Sequence, residues 1–311
     1  MKIQKYSPQN EGVWNVFIEH SKNGTFMLNR SYMDYHSDRF VDRSLMFYDD
    51  KERLVALLPA SLHGHELRSH GGLTYGGIIS DRKMTTEKML EIFSSLKQYM
   101  LSEGIEKLLY KRVPSIYYTY PSDEDLYALF VNDAKLVRRD VSTTIDLTDA
   151  ISFSQRRLRN IKKALKENII VEESRDFGKF IELLVEVLKS RHDAVPVHTA
   201  EELERLKEKN PDNIRMFVAK FRDEIIAGTV LYITPRVVHT QYLMSNKEGR
   251  QRGALDFVIR QVISLFRESH RFLDFGISTE NSGKYLNTGL VTQKQEFGGR
   301  AVAYDFYELT V

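Results

Sequence analysis

The sequence predicts an α/β protein in which mixed sheets carry flanking helices, arranged as two tandem domains. Three observations lead there. The chain has 311 residues, more than one small domain uses. Short β-branched and aromatic runs, bounded by charged turns, alternate with apolar residues at helical spacing. Finally, the order helix, hairpin, strand, helix, strand occurs twice, with MFYDDKERLVALL in the first half answered by MFVAKFRDEIIAGTV in the second.

In the first half, Trp14, Phe17 and Ile18 predict a short amphipathic helix. Strands are expected at 45–48 and 54–62, separated by the polar turn DDKER. The glycine-rich stretch GGLTYGG spans 71–77. Met89, Phe93, Leu96 and Met100 predict a helix with Thr85 or Thr86 as its cap, and a strand at 107–113 closes the half. In the second half, Phe180, Leu183, Leu184, Val187 and Leu188 form one helix face. Strands follow at 214–220, 225–233 and 237–244, divided by FRDE and a turn at Pro235. Leu255, Val258, Ile259, Val262, Ile263 and Phe266 make the strongest helix pattern of the chain, with strands at 271–275 and 301–309 after it. The domain boundary is expected near DLTDAISFSQ, giving domains 1–150 and 151–311.

Composition narrows the chemistry. There are no cysteines, which excludes disulfides, zinc–thiolate sites and a thiol nucleophile. A net charge of +2 makes any basic feature local, so general nucleic-acid affinity is a poor default. MKIQKYSPQNEG has no apolar core, and no apolar run approaches the ~20 residues that span a bilayer, so a cytoplasmic, soluble protein is expected.

Four stretches can carry chemistry. In SQRRLRNIKKALKEN, six cations between Arg156 and Lys166 have no acid among them, and Arg159, Lys162, Lys163 and Lys166 share one helix face. That face suits a phosphorylated ligand, or is a solvated surface. Arg191 and His192 stand at a helix exit, where they bind an anion or complement the helix dipole. His63 and His65 alternate as a strand metal pair would, but no third ligand is suitably spaced; a polar turn is the better reading, and no metal is expected. EGRQRGALDFVIRQVI places a basic, glycine-bearing loop at the start of the strongest helix, a natural pyrophosphate site. No P-loop, dinucleotide fingerprint or nucleophile elbow is present.

Together these stretches resemble the FemABX-like branch of the GNAT acyltransferase superfamily. HSKNGTFMLNRSYMDYH resembles its opening segment, with Tyr32 or Met33 where tryptophan is common, and GGLTYGGIISD resembles its Tyr-Gly-Gly strand end. The basic helix resembles the start of its second domain. HTQYLMSN with RFLDFGIS, then KQEFGGR, resemble its closing blocks. The resemblance runs in order along nearly the whole chain. It implies two tandem GNAT-like domains and transfer of an acyl group, aminoacyl or acetyl, onto an amine of a cell-envelope or nucleotide-linked acceptor. The donor it implies is acyl-CoA (acetyl-CoA) or aminoacyl-tRNA. Some aminoacyl-tRNA users carry a long helical arm, whereas the one candidate here, TAEELERLKEK, is short. The coenzyme A loop of the superfamily has the form Q/R-x-x-G-x-G/A. Arg250, Arg252 and Gly253 match its first half, and Leu255 stands where a small residue is wanted.

The resemblance also implies roles. Asp274, at a strand end, would orient or deprotonate the amine, directly or through water, or else is a structural carboxylate that caps the loop after it. Lys294, before FGG, would neutralise an oxyanion or a substrate phosphate. Tyr242 would donate to the leaving group, Tyr75 would line the acceptor side, and Arg159, Lys162, Lys163, Arg191 and His192 would hold substrate. Two rival readings stand beside it: an acetyl-CoA-dependent N-acetyltransferase of a small amino-sugar, and a non-catalytic RNA-binding or scaffold protein using the basic helix 156–166.

Overall fold

The charged turns read from the sequence are the reversals of two antiparallel hairpins. Leu45–Tyr48 pairs with Leu54–Leu58, and Ile214–Phe221 with Glu224–Ile233. In the second hairpin both turn residues, Arg222 and Asp223, take positive φ (50° and 66°), as the two-residue turns that match strand twist require. The expected strand at 54–62 is two strands, Leu54–Leu58 and Ser61–His63, because Pro59 between them has no N–H to give a ladder.

The computed structural model describes residues 1–192 and 195–311; the side chains of His36, Arg191 and His192 lie outside the description. The chain forms two compact units. The first comprises 1–141, 279–285 and 303–311, the second 142–278 and 286–302. The expected domains 1–150 and 151–311 are each contiguous; the units are interleaved along the chain.

In the first unit, Lys2–Lys5, Leu45–Tyr48, Leu54–Leu58 and Ile79–Ser80 make a four-stranded sheet. A further strand, Lys107–Lys111, pairs antiparallel with 306–310 and parallel with Glu66–Arg68. The helix Thr86–Ser102 is capped by Thr85, whose side chain accepts from Lys88 N, and it buries Met89, Ile92, Phe93, Leu96 and Met100.

In the second unit the strand order is Ile170–Ser174, Ile214–Phe221, Glu224–Ile233, Val237–Ser245, Phe272–Ile277, then 142–146. Every pairing is antiparallel except that of 237–239 with 272–274. A parallel pair needs a long crossover, and the helix Ala254–Phe266 supplies it. Val258, Ile259 and Val262 of that helix are completely buried, each stabilising the fold by roughly 1.5–3 kcal/mol.

The two faces of this sheet are distinct. Ala227, Leu231 and Ile233 share a core with Ala254–Phe266 and with Ile161 of the helix Gln155–Lys166. The alternate residue Gly228 meets Phe180 of the helix Phe177–His192, where a Cβ would stand 3.1 Å from the ring. His239 pairs with Tyr232, and Asp274 with His239, so both stand on the Gly228 face.

Candidate active site

Val237–Ser245 and Phe272–Ile277 run side by side only as far as His239 and Asp274. Beyond that pair they part. Gly276, at φ +74°, and a register shift between Asp274 and Ile277 turn the second strand away. On the helix side of the parting lies a cavity of about 450 Å³, lined by Leu243 and Ser245 from one strand and Phe275 from the other. Arg156, Arg157, Asn160, Arg250, Asp256 and Lys294 supply its polar wall.

Lys294 rides on the helix Thr288–Gln295, whose first turn is capped by Asn287. Its buried Nζ donates to the carbonyls of Gly276 and Ile277, both at 2.8 Å. Burial pulls this ammonium down to about 8, against the opposing pull of the Asp274 charge. The glycines after it are structural. Gly298 has φ +92°, and a Cβ there would stand 2.2 Å from the Ile151 carbonyl.

The cavity floor is ionic. Arg157 is buried, donates to Asp256 at 2.6 Å and to the Gln293 carbonyl at 3.0 Å, and lies 4.3 Å from the Phe297 ring centre. Asn160 donates to the other Asp256 oxygen at 2.5 Å. Burial raises the Asp256 carboxyl, and Arg157 and Asn160 offset only part of that rise. At the rim, Arg250 is exposed and donates to the Ser245 carbonyl at 2.6 Å, while Arg156 pairs with Glu296 at 2.7 Å.

The six cations of the basic helix therefore behave differently from their sequence. Arg156 and Arg157 have acid partners far along the chain, Glu296 and Asp256, and Lys163 meets Glu167 at 3.9 Å. The mutual repulsion that argued for a polyanion is partly relieved by these tertiary partners. Arg159, Lys162 and Lys163 are exposed and do not line the cavity.

Of the expected cofactor residues, Arg250 and Gly253 line the cavity. Gly253 has φ +71°, and a Cβ there would stand 2.4 Å from the Asn160 carbonyl, so it sets the close approach of two helices. Arg252 points elsewhere: it pairs with Glu167 and Glu248 and lies over the Phe221 ring at 3.6 Å. The loop is wound into the helix Lys247–Arg252, and the Asn246 side chain already accepts from Gly249 N.

The remaining expected residues fall outside the cavity. The Tyr242 hydroxyl is 2.6 Å from His198 Nδ1, and burial raises it, with hydrogen bonding from the His198 backbone opposing. Tyr75 belongs to the first unit, where it is buried, donates to Thr25 at 3.1 Å and packs on Tyr117. The Arg191 and His192 side chains lie outside the described residues.

Asp274 has no exposed surface. Its Oδ1 accepts from Ser142 at 2.5 Å and Thr144 at 2.7 Å, and its Oδ2 lies 2.8 Å from His239 Nδ1 and 3.3 Å from Gly276 N. Burial alone would raise this carboxyl, but the hydrogen bond and charge of His239, with the hydrogen bonds of the two hydroxyls, hold it below the ordinary carboxylate value. So placed, it reaches a ligand only through a neighbour, which removes direct proton abstraction from its expected roles. Sequence reasoning missed His239 and Asp256, and read Arg157 only as one of the six cations of the basic helix. The one available signal for His239 was a titratable ring directly after the apolar start of the strand VVHTQYL.

Residues 152–284 match the family model of the acetyltransferase (GNAT) domain. No curated protein sequence matches the chain. Among solved structures it is similar to FemX, with a TM-score of 0.72 at 12% identity, over 100% of this chain and 98% of that one. It is similar also to the C-terminal domain of a putative lysylphosphatidylglycerol synthetase from Agrobacterium fabrum (TM-score 0.62, 10% identity, 98% and 92% covered). A third neighbour is a tandem GNAT protein from the clavulanic acid biosynthesis pathway (TM-score 0.52, 10% identity, 99% and 98% covered). At these identities the likeness is one of fold.

Proposed function

We propose that this chain, whose residues 152–284 match the acetyltransferase (GNAT) domain and which shares the fold of FemX, is a GNAT-type acyltransferase that transfers an aminoacyl group from tRNA to an amine of a cell-envelope or nucleotide-linked acceptor. The observation that carries this reading is the cavity at the parted strands. It has two arginines, Arg156 and Arg250, at its rim, and the Lys294 ammonium inside. An acyl carbonyl entering there meets an electrophilic ammonium, and the rim cations meet the phosphates of the carrier. On this reading the chain works in the cytoplasm as two tandem GNAT-like domains, 1–150 and 151–311, with the donor cavity in the second.

The choice of tRNA over coenzyme A rests on the loop before Ala254–Phe266. A pyrophosphate cradle uses free backbone N–H groups. Here the loop is helical, Gly249 N is capped by Asn246, and Arg252 is held by two glutamates. The name of the lysylphosphatidylglycerol synthetase, a fold neighbour, fits an aminoacyl donor. Acetyl-CoA is the second reading, favoured by the match to an acetyltransferase domain and by Arg250 and Gly253 at the cavity.

The test is thermal unfolding and transfer with each donor. Aminoacyl-tRNA, and not acetyl-CoA, should raise the melting temperature, since a ligand of the native state stabilises by mass action. It should also label a lysyl-peptide acceptor. Protection and transfer with acetyl-CoA alone would establish the second reading. No transfer from either would sink both.

A further inference from the structure

A histidine whose one ring nitrogen is held by an ionised carboxylate has its other nitrogen left as the base. The second unit contains such a pair at the point where its strands part. Asp274 is completely buried and receives Ser142, Thr144, His239 and Gly276 N on its two oxygens. An ionised carboxylate only accepts, so the hydrogen between it and His239 belongs to Nδ1 of the ring. In the neutral ring Nε2 then carries the lone pair. The His239 side chain keeps 14% of its surface, whereas Asp274 keeps none. The edge of the ring is kept clear by Gly276: a Cβ on that residue would stand 3.2 Å from His239 Cε1.

Gly276 also connects this pair to the cavity. Its N–H points at Asp274 Oδ2, and its carbonyl accepts from Lys294 Nζ. His239, on the Gly228 face, is therefore linked to Lys294, on the cavity side, through the Asp274 carboxylate and the backbone of Gly276, at the parting of the strands.

We infer that His239 is the proton acceptor of the acyl transfer, with Asp274 as its positioning residue. This rests on the acyl-transfer reading above. The neutral amine attacks the acyl carbonyl, forming the C–N bond while the carbonyl π pair moves to oxygen. His239 Nε2 takes one N–H proton. The tetrahedral adduct collapses, the bond to the carrier oxygen breaks, and that oxygen leaves with the bonding pair. It takes the proton from the imidazolium, giving an amide and the free carrier hydroxyl with His239 neutral again. Lys294 faces the oxygen on which charge develops.

The experiment is turnover of the full-length protein with aminoacyl-tRNA and with acetyl-CoA, using a lysyl peptide as acceptor. His239→Ala should lower kcat by about a hundredfold or more, the range of a lost general base. KM for the donor and the melting temperature should stay close to wild type, and added imidazole should restore part of the rate. His239→Asn, which keeps an N–H toward Asp274, should lose as much, and it serves if the alanine variant fails to fold. In ¹⁵N-histidine-labelled wild type, the resonance absent from His239→Asn should show a protonated Nδ1.

Activity near wild type in either variant would overturn the inference while leaving acyl transfer standing. So would a loss that imidazole does not rescue in a folded His239→Ala, or an Nδ1 without a proton. No wild-type turnover with either donor would overturn the acyl-transfer reading and this inference with it.

Discussion

Replacing Lys294 by methionine should change how stability depends on pH. The ammonium is buried against two carbonyls, and burial lowers it from 10.5 to about 8. A lysine lowered on folding gives stability that is complete above its unfolded value and lost as pH falls through its folded one. At about 1.4 kcal/mol per pH unit, the gap between these values makes the charged form roughly 3 kcal/mol harder to hold in the folded state. Between about pH 7 and about pH 10, wild type should therefore gain roughly 2.5 kcal/mol relative to Lys294→Met. Wild type alone cannot report this, because Lys111, bonded to the carbonyls of His70, Gly71 and Leu73, is likewise lowered by burial to about 8. The difference between the two proteins cancels Lys111 and every shared group. The change of that difference between the two pH values also removes the pH-independent loss of the Gly276 and Ile277 hydrogen bonds. The assay is urea denaturation of both proteins at the two pH values, followed by circular dichroism. A difference that stays constant, or that moves against wild type at high pH, would refute the placement of a charged Lys294 in a buried site.

Three further outcomes follow from the same cavity. Arg157→Met strands the buried Asp256 carboxylate and should cost about 3–5 kcal/mol in urea denaturation, with Asp256→Leu added to it recovering part of the loss. Gly253→Ala forces a side chain into φ +71° and against the Asn160 carbonyl, so the melting temperature should fall, by at least the ~1–2 kcal/mol that the left-handed conformation costs. Arg250→Ala should weaken donor protection in thermal unfolding by roughly tenfold, the worth of one charge-assisted bond, whereas Arg252→Ala should leave it nearly unchanged, because Arg252 is engaged with Glu167 and Glu248.

The elements most legible in the sequence were those whose signal is local. Leu255 to Phe266 repeats with helical period, and Ala254–Phe266 is the helix it predicts. FRDE is a reversal because the charged residues Arg222, Asp223 and Glu224 divide two apolar runs, and the turn falls at Arg222 and Asp223. Even the break in the strand at 54–62 was present in the letter Pro59, and was overlooked. The resemblance to FemABX-like proteins rested on order along the chain, and order survives at identities where individual residues do not.

By itself, then, the sequence determined the alternation of helices and hairpins, the absence of thiol chemistry and the glycine turns around Gly253 and Gly298. These depend on neighbours a few positions away. Only the tertiary structure decided what the charged residues do. Arg157 looked like one of six cations facing either a phosphorylated ligand or solvent until the packing of two helices set it on Asp256, 99 residues away. Asp274 looked like a base until the 142–146 segment and His239 enclosed it on both sides. A charge states in the sequence only that it needs a partner or water, because burying it alone is prohibitive. Which of the two it finds is settled by sheet register and helix packing, and at the parting of two strands that choice left His239 as the ring with a free edge.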